Sequence, residues 1–309
     1  MTRFAFFEGE IRPIHDAKVS VMTHTFNYGT GCFGGLRGYW NQEQGRMYIF
    51  RILDHYKRFL HSAKLLFAQL PYTAQDLATI TVDLVALESW SENCYIRPLL
   101  YKADVLIGVR LHDLHDAVTI FATPMGRYLS HEEGMRLGTS RWRRVDDTAI
   151  PPRGKIVGAY VNSAFVKTEA HLNGFDDGLV LNQDGHIAEA SAANLVMVRY
   201  GKLIMPPNSA NALEGITLSS IVHLAQHELG LDVEAREIDR TELYFADEAF
   251  LCGTGAQVAA VSSLDHRAIG SGEMGPITKA IRDLYFRVVR GQEAKYMHWL
   301  TPVPQTVPA

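Results

Sequence analysis

The stretch Ile150-Pro-Pro-Arg-Gly-Lys-Ile-Val-Gly-Ala-Tyr160 places Lys155 in a short apolar, glycine-rich run that leads into a helix. Its two prolines stiffen the approach, and the glycines on either side of Lys155 let the backbone come close to other groups. A lysine in a partly desolvated pocket can act as an amine nucleophile that forms Schiff bases with carbonyl compounds. A solvated loop lysine is the commoner case, so the rest of the chain has to decide between the two.

The composition predicts a globular protein of two domains. Of the 309 residues, 47% are hydrophobic and 21% are charged, which is typical of a soluble, folded chain. A single core tends to split at this length. Acidic residues number 34 and basic residues 30, without a basic stripe, so we expect no nucleic acid partner.

The amino terminus and the cysteines predict a cytoplasmic location. The chain reaches Glu8 before an apolar signal-peptide core could form, and it has no apolar run long enough to span a bilayer. We therefore expect no membrane partner. Cys32, Cys94 and Cys252 are scattered and lack metal-ligand spacing, so we expect buried, unpaired thiols in a reducing compartment.

Residues 1–125 predict a smaller α/β domain. Apolar residues from Leu53 to Leu70 recur at helical spacing until Pro71, and a second helix follows with Thr73 as its N-cap. Strand patterns with turn residues between them indicate a mainly antiparallel sheet. These strand patterns lie at residues 4–7, 37–40, 47–50, 95–102 and 117–122.

The second half predicts a larger α/β domain after a linker. Residues 126–152 are polar and irregular and are predicted as the linker, and residues 153–309 alternate between helical and strand patterns. A proline-rich tail from residue 301 is expected to fray. The predicted helices span 160–173, 215–230 and 276–290, and the predicted strands span 178–181, 187–189, 195–198, 248–253 and 258–262.

Three kinds of site are excluded by their sequence context. Gly29-Thr-Gly-Cys-Phe-Gly34 matches the dinucleotide pattern G-x-G-x-x-G, but a turn into a strand follows where that motif needs a helix. His112-Asp-Leu-His-Asp116 lacks a second ligand pair at zinc spacing, so we expect a solvated loop and no metal. Sequences typical of zinc proteases, P-loop proteins and serine hydrolases do not occur.

Three segments after Lys155 could hold an anionic, planar cofactor. Glu189 ends a strand before small residues that would let a flat ring approach, and a carboxylate keeps a pyridine nitrogen protonated. Gly215-Ile-Thr217 opens a helix, where N–H groups and the helix dipole bind anions. Gly253-Thr-Gly255 offers further N–H donors at a strand end. An exposed carboxylate and an ordinary helix start are the alternatives left open.

Arg58, Tyr95 and Arg97 are the candidates in the first half of the chain. Strand alternation places Tyr95 and Arg97 on one face, where a hydroxyl beside a guanidinium suits recognition of a carboxylate. Arg58 lies on the predicted buried side of the first long helix, where an ordinary helix arginine is the alternative.

Taken in order, these segments resemble the branched-chain amino acid aminotransferases, pyridoxal-phosphate enzymes of fold type IV. The resemblance covers about residue 7 to residue 299. It implies a two-domain α+β or α/β fold of the D-amino acid aminotransferase type, with mixed and antiparallel sheets and helices and the cofactor held between the domains. The matching motifs are Tyr28-Gly-Thr, Phe33 with Gly35-Leu-Arg37, Arg58 with Ser62-Ala-Lys64, Tyr95-Ile-Arg-Pro-Leu99, Lys155 with Tyr160, Glu189 with Asn194, Gly215-Ile-Thr217 and Gly253-Thr254.

The resemblance implies a role for each matching residue, with Lys155 as the catalytic lysine that binds the cofactor aldehyde and shuttles the proton. The residues implied to bind pyridoxal 5′-phosphate are Glu189 at the ring nitrogen, Tyr160 at the phenolic oxygen, Leu213 on the ring, and Arg58, Ile216, Thr217 and Thr254 at the phosphate. The residues implied to bind substrate are Tyr95, Thr254 and Gly255 at its carboxylate, Arg97 in support, Phe33 and Tyr28 around its side chain, and Val109. Val109 ends the loop 105–109, which in the family reaches a neighbouring subunit's site, so a homodimer or larger assembly is implied.

The implied activity is a ping-pong transamination in which leucine, isoleucine or valine gives its amino group to 2-oxoglutarate. Departures from the family pattern leave alternatives open. Gly34 stands where the family usually has glutamate, Met125 stands where tryptophan is common, and Arg110 begins a segment that replaces a proline-rich loop. The nearer alternative is a fold-type IV transaminase for D-amino acids or (R)-primary amines, and the more distant one is an aminodeoxychorismate lyase.

Overall fold

The computed structural model describes residues 3–129 and 131–304. The chain divides into two compact units, each of which contains one β-sheet. The first unit comprises Met1–Gly126, Gly154–Gly158 and Arg287–Ala309, and the second comprises Arg127–Arg153 and Ala159–Phe286. The helices are α1 (His24–Tyr28), α2 (Ile52–Leu65), α3 (Ala74–Glu88), α4 (Tyr160–Leu172), α5 (Ile216–Glu228) and α6 (Pro276–Val289).

Within the described residues, the strands include every predicted one and add seven others, of which one has nine residues and the rest are short. They are β1 (Phe4–Phe7), β2 (Glu10–Pro13), β3 (Gly31–Phe33), β4 (Leu36–Asn41), β5 (Arg46–Phe50), β6 (Cys94–Lys102), β7 (Asp116–Pro124), β8 (Met135–Arg143), β9 (Asp177–Leu181), β10 (Ile187–Ala190), β11 (Asn194–Arg199), β12 (Lys202–Met205), β13 (Val233–Ala235), β14 (Glu248–Gly253), β15 (Gln257–Leu264), β16 (Arg267–Ala268) and β17 (Leu300–Pro302).

The sheet of the first unit is antiparallel. Its strands follow the order β17-β5-β4-β6-β7-β1-β2, and β3 pairs with β6. From residue 94 to residue 100, β6 alternates between buried and half-buried residues, and Tyr95 and Arg97 lie together on the half-buried face, as predicted. α3 begins at a capping box in which Thr73 and Asp76 bond reciprocally, which confirms the predicted N-cap.

The sheet of the second unit is mixed. Its strands follow the order β10-β9-β8-β15-β14-β11-β12-β13, with β16 beside β15. The β8–β9, β8–β15 and β12–β13 pairs are parallel, and the other pairs are antiparallel. α4 packs against β8 and β9, where a Cβ on Gly178 would lie 2.5 Å from Val166 of that helix. The mixed and antiparallel sheets with helices confirm the predicted fold class.

The structure differs from the sequence prediction at residues 126–152, where a linker was expected. Met135–Arg143 forms β8, a strand paired on both sides within the second sheet. The interpretation of this segment as irregular linker was therefore wrong. Its sequence is polar enough to resemble a loop, but its hydrogen-bond partners in β9 and β15 lie far along the chain, where local patterns cannot reveal them.

Two further boundaries differ from prediction. α2 ends at Leu65 and does not continue to Leu70, because Phe67 adopts a left-handed backbone conformation (φ +53°) that a helix cannot accommodate. The predicted frayed tail is partly ordered, since Leu300–Pro302 pairs with β5 as β17. Residues 305–309, which the same prediction includes, lie outside the described residues.

The three cysteines are unpaired and buried, as predicted. Burial raises the pKa of Cys32, which lies in β3, to about 12, so its thiol stays protonated at neutral pH and is a poor nucleophile. Among the helices of the described ranges, none has the length and apolar character needed to cross a membrane.

Candidate active site

The segment Gly154–Gly158 runs along β3 and holds Lys155 in place. Ile156 forms an antiparallel bridge to this strand, and the N–H of Phe33 donates to the carbonyl of Lys155 at 2.9 Å. The N–H of Lys155 donates to Ser62 Oγ on α2 at 3.2 Å. Backbone bonds on both sides therefore fix the position of Lys155, whose residue is half-buried.

The glycines near Lys155 differ in how far their surroundings require glycine. A Cβ on Gly154 would lie 2.7 Å from Leu65 Cδ1, the end of a flexible side chain that is 40% exposed and can move, so this contact does not by itself require glycine. A Cβ on Gly158 would make ordinary contacts, so the predicted need for glycine to allow close backbone approach does not hold at this position. The tight position opposite it is Gly29, which has φ +68° and would place a Cβ 2.9 Å from Gly158 Cα.

Lys155 and Arg97 both contact the ring of Phe33. Lys155 Nζ lies 5.0 Å from the ring centroid, and the Arg97 guanidinium carbon lies 4.3 Å from it, distances typical of cation–π contacts. Arg97 also donates to the Tyr95 hydroxyl from Nε at 3.2 Å and from Nη2 at 2.9 Å. A primary amine and a guanidinium are thus placed around one aromatic ring.

Gly34 and Gly35 pack closely against β6. A Cβ on Gly35 would lie 2.5 Å from the Tyr95 hydroxyl oxygen, so any larger residue would displace that hydroxyl. A Cβ on Gly34 would lie 2.6 Å from Pro98 Cγ. The glutamate expected at position 34 from the family pattern therefore does not fit on this backbone without movement of Pro98.

Arg58 contributes to a positively charged region of the first unit. It lies half-buried on α2, one turn after the buried His55. Burial of the imidazole, together with the positive charges of Arg58, Arg51 and Lys155, holds the pKa of His55 well below its usual range. His55 is therefore neutral at pH 7, and the positive charge of this region suits an anionic ligand.

Tyr28 and Val109 are joined through the loop that follows β6. The Tyr28 hydroxyl accepts a hydrogen bond from the N–H of Gly108 at 3.1 Å. Val109 follows Gly108 and is 75% exposed. The structure thus links Tyr28 to this loop and leaves the Val109 side chain exposed on the surface of the chain.

In the second unit, Glu189 lies on β10 and is only 4% exposed. Its Oε1 pairs with Arg144 Nη2 at 2.9 Å, and its Oε2 accepts from Asn194 Nδ2 at 3.3 Å and from the N–H of Leu213 at 3.2 Å. Both carboxylate oxygens are therefore oriented by donors. The alternative of an exposed strand-end carboxylate is wrong.

Asn194 joins Glu189 to the segment before α5. Its Nδ2 also donates to the carbonyl of Leu213 at 2.8 Å. A Cβ on Gly215 would lie 2.1 Å from Asn194 Oδ1, so glycine is needed where this segment turns into the helix. The side chain of Asn194 thus ties the Glu189 carboxylate to the start of α5.

The start of α5 has the features of an anion site. Gly215 is the N-cap and supplies no side-chain cap, Ile216 is the first helical residue, and Thr217 is 3% exposed. A helix of 13 residues concentrates positive dipole charge and N–H donors at this end. The predicted helix start is confirmed, and its surroundings suit a phosphate.

Tyr160, Thr254 and Gly255 are half-buried in the second unit. Tyr160 is the first residue of α4, and Thr254 and Gly255 form the turn after β14. A Cβ on Gly255 would lie 3.1 Å from the ring of Tyr128, which covers this turn. Their predicted contacts with cofactor and substrate stay predictions.

The His112–Asp116 segment does not form a metal site in the described structure. His112 is exposed, and across residues 3–129 and 131–304 no three His, Cys, Asp or Glu side chains gather as metal ligands. Asp116 differs from the predicted solvated loop. It begins β7, is largely buried and pairs with the buried Lys102 Nζ at 2.8 Å.

Arg144, the ion-pair partner of Glu189, was not predicted from the sequence. Arg144 was one of three arginines in a polar stretch, and its neighbours Arg141 and Arg143 are exposed while Arg144 is buried. Residue type and spacing do not distinguish the three. Arg144 is distinguished from them only by the tertiary structure, because β8 pairs with β9 and β9 pairs with β10, which brings Arg144 to Glu189.

Comparison with known proteins places these residues in a family. Residues 31–264 match the model of the amino-transferase class IV family. A probable branched-chain-amino-acid aminotransferase of Aquifex aeolicus (strain VF5) is 46% identical over 97% of this chain and 96% of its own length.

Solved structures agree with the sequence comparison. A branched-chain aminotransferase of Thermoproteus uzoniensis with norvaline has a TM-score of 0.94 and 38% identity over 98% of this chain and 100% of its own. A branched-chain amino acid aminotransferase from Thermobaculum terrenum, in its holo-form with the cofactor PLP, has a TM-score of 0.94 and 37% identity over 98% and 99% of the two chains. The chain therefore belongs to the amino-transferase class IV family.

Proposed function

We propose that the protein is a branched-chain amino acid aminotransferase that moves the amino group of leucine, isoleucine or valine to 2-oxoglutarate. The observation that carries the proposal is the contact of Lys155 and Arg97 with one Phe33 ring. This arrangement offers a primary amine for chemistry at the α-carbon and a guanidinium, bonded to Tyr95, for the α-carboxylate. The Thermoproteus uzoniensis relative was solved with norvaline, an amino acid with an unbranched apolar side chain, which supports an apolar amino acid as donor.

The cofactor of this reaction is pyridoxal 5′-phosphate, and the residues present fit it. A half-buried lysine, a buried carboxylate held by three donors, and a glycine-capped helix start match its aldehyde, ring nitrogen and phosphate. Pyridoxal 5′-phosphate supplies an aldehyde that captures amines and a ring that accepts electrons from the α-carbon. The residues proposed to hold it are Lys155, Arg58, Tyr160, Glu189, Leu213, Ile216, Thr217 and Thr254. That the cofactor is bound by residues of both predicted domains stays a prediction.

Each step of the proposed reaction is assigned to particular residues. Lys155 would take the proton from the substrate α-carbon and return it at the aldehyde carbon of the cofactor, because it supplies the primary amine of the proposed site and its backbone is fixed. Glu189 holds the proton on the ring nitrogen. Tyr95, Arg97 and the turn at Thr254 and Gly255 bind the carboxylate. The amino acid and the keto acid use the same lysine in succession, so ping-pong kinetics are expected.

The experiment that tests this function mixes the purified holoenzyme with one amino donor at a time and follows the cofactor absorbance. L-Leucine should convert the aldehyde form to the amino form, and 2-oxoglutarate should restore it. A fast response to D-alanine or (R)-1-phenylethylamine, with none to L-leucine, would identify the alternative transaminase that the lack of a side chain at Gly34 favours. Release of pyruvate from aminodeoxychorismate without an amino acceptor would identify the lyase.

Substitution Gly35→Ala should raise the KM for L-leucine by about 10-fold or more. The added Cβ would displace the Tyr95 hydroxyl, 2.5 Å away, and so remove charge-assisted bonds from Arg97 worth about 1.5–3 kcal/mol. The affinity for the cofactor should not change. Steady-state kinetics and a cofactor titration measure both quantities. Gly126→Ala is the matched control, because its Cβ would meet open space; equal KM values in the two variants would contradict the role of Tyr95.

We infer that the protein works as a homodimer or larger assembly that covers an apolar patch of the first unit. The patch comprises Val21, Met22, Phe26, Ile107 and Val109, which are 47–76% exposed. Backbone contacts join its two segments, since the N–H of residue 24 donates to the carbonyl of residue 104 at 2.8 Å. Exposed apolar patches of this kind mark protein–protein interfaces. A second copy is the proposed occupant because the resemblance assigns the loop 105–109 to a neighbour's site.

Substitution Ile107→Asp should dissociate the assembly, because burial of a carboxylate in an apolar interface is unfavourable. Sedimentation velocity should show the wild type as a dimer or larger species and the variant as a monomer. Leu172→Asp is the matched control, since Leu172 is 84% exposed on α4 of the second unit. An Ile107→Asp variant that sediments like the wild type would contradict the proposed interface.

A cytoplasmic location is also proposed. It is supported by the three buried, unpaired cysteines, because thiols of this kind are typical of reducing compartments.

A further inference from the structure

The ion pair of Arg144 and Glu189 is enclosed within the second unit. Their side chains are 10% and 5% exposed, and Arg144 Nη2 lies 2.9 Å from Glu189 Oε1. Arg144 directly follows β8, and its N–H donates to the carbonyl of Leu181 at the end of β9 at 2.8 Å. The guanidinium is therefore brought to the carboxylate by the sheet itself.

Further hydrogen bonds fix both the guanidinium and the backbone of Arg144. Its Nε donates to the carbonyl of Asn211 at 3.0 Å, and its own carbonyl accepts from Gln183 Nε2 at 3.0 Å. Asn211 is fixed in turn, since its Nδ2 donates to Asp146 Oδ2 at 3.0 Å. Arg144 thus has one orientation, with one guanidinium nitrogen on the backbone of Asn211 and another on Glu189.

Such a pair is costly to bury, and an apolar pair of the same volume would often stabilise the fold as well or better. Stability alone therefore does not account for a guanidinium at this place. A fixed positive charge beside a carboxylate does favour its ionised form. A carboxylate must be ionised to hold a proton on a pyridine nitrogen.

We propose that Arg144 is a positioning residue that keeps Glu189 ionised and aimed at the ring nitrogen of the cofactor. This inference rests on the proposed function, in which Glu189 binds that nitrogen. Arg144 sets the charge of Glu189, while Asn194 and the N–H of Leu213 set the direction of its other oxygen. Glu189 is thereby held as an anion in a buried position where a lone carboxylic acid would tend to be neutral.

Other ionisable groups on the segments around Glu189 have different partners. Asp146 accepts from Asn211 and Thr148, and the exposed Glu214 beside Leu213 pairs with Arg153 at 3.6 Å. β9, the strand that pairs with β10, carries Asp177, which pairs with Lys167 at 3.1 Å. Arg144 Nη2 forms an ion pair with the Glu189 carboxylate.

The test is a titration of apoenzyme with pyridoxal 5′-phosphate between pH 5 and pH 8, with calorimetry and cofactor absorbance as readouts. Acid should weaken binding as Glu189 becomes protonated. Arg144→Gln should weaken binding at pH 7 by about 30-fold or more, the loss expected when one partner of a buried, bonded charge pair is removed. The midpoint of the acid loss should rise by about one pH unit or more.

Three further proteins separate charge from packing. Arg144→Lys keeps the charge and should restore the midpoint, even where affinity stays reduced. Arg143→Gln, which changes an exposed arginine one residue earlier, should behave as wild type. In a Glu189→Gln background, Arg144→Gln should not move the midpoint, because the titrating group is absent.

A midpoint that stays at the wild-type value in Arg144→Gln, with weaker binding at every pH, would overturn the inference and leave Arg144 a structural residue. If Arg144→Gln does not fold, Arg144→Lys decides the matter, since a shifted midpoint in that variant would also overturn it. Failure of the wild-type apoenzyme to bind pyridoxal 5′-phosphate would refute the proposed function itself. Normal transamination by the wild type, with no midpoint shift in the variants, would refute only the role of Arg144.

Discussion

Substitution Lys155→Ala should lower the rate of the half-reaction with L-leucine by about 10⁴-fold, which makes the reaction undetectable in an ordinary assay. Lys155 is the proposed base at the substrate α-carbon, and a positioned general acid–base contributes up to about this factor. Its backbone bonds to Phe33 and Ser62 do not involve the side chain, so the variant should fold normally. Stopped-flow absorbance of the cofactor after mixing with L-leucine measures the rate directly.

The matched control is Lys57→Ala, which removes an exposed lysine from α2 of the same unit. This variant should react at the wild-type rate. Thermal unfolding should give the same Tm for Lys155→Ala, Lys57→Ala and wild type within a few degrees. A Lys155→Ala enzyme that still converts L-leucine at more than about one-hundredth of the wild-type rate would exclude Lys155 as the base.

Substitution Glu189→Gln should lower the free energy of unfolding of the apoenzyme by about 3–5 kcal/mol. The change keeps the shape of the side chain but leaves the Arg144 guanidinium buried without a counter-charge, and removal of one partner from a buried pair is strongly destabilising. Urea denaturation, followed by tryptophan fluorescence and circular dichroism, gives the difference. The same variant should also lose most of its half-reaction rate, because glutamine cannot hold a proton on the ring nitrogen.

Two further variants test whether the unpaired, buried Arg144 charge causes this loss of stability. Glu214→Gln removes a half-exposed carboxylate whose ion pair with Arg153 spans 3.6 Å, and it should cost at most about 1 kcal/mol. Replacement of both Glu189 and Arg144 by methionine should cost less than Glu189→Gln alone, since no charge is then left unpaired. A Glu189→Gln protein as stable as Glu214→Gln would show that the buried pair contributes little.

Local patterns were sufficient where a residue's neighbours in sequence are also its neighbours in space. The alternation of β6 correctly placed Tyr95 and Arg97 on one face, and the Thr73 cap was visible from its position before an apolar helix. The same reasoning failed at β8, where Met135 and Leu137 alternate with Arg136 for only three residues before a mostly polar run, and the partner strands β9 and β15 lie far along the chain. It also extended α2 past Phe67, whose left-handed conformation follows from the turn that it enters.

The sequence by itself determined the family and predicted Lys155 and most of the other candidate residues, since each lies in a short motif with its own chemistry. Only the tertiary structure decided which arginine meets Glu189, and that Lys155 and Arg97 contact one Phe33 ring. Such contacts join residues 45 to 122 positions apart, from Arg144–Glu189 to Phe33–Lys155. Burial and charge pairing depend on those distant neighbours, so spacing along the chain cannot reveal them.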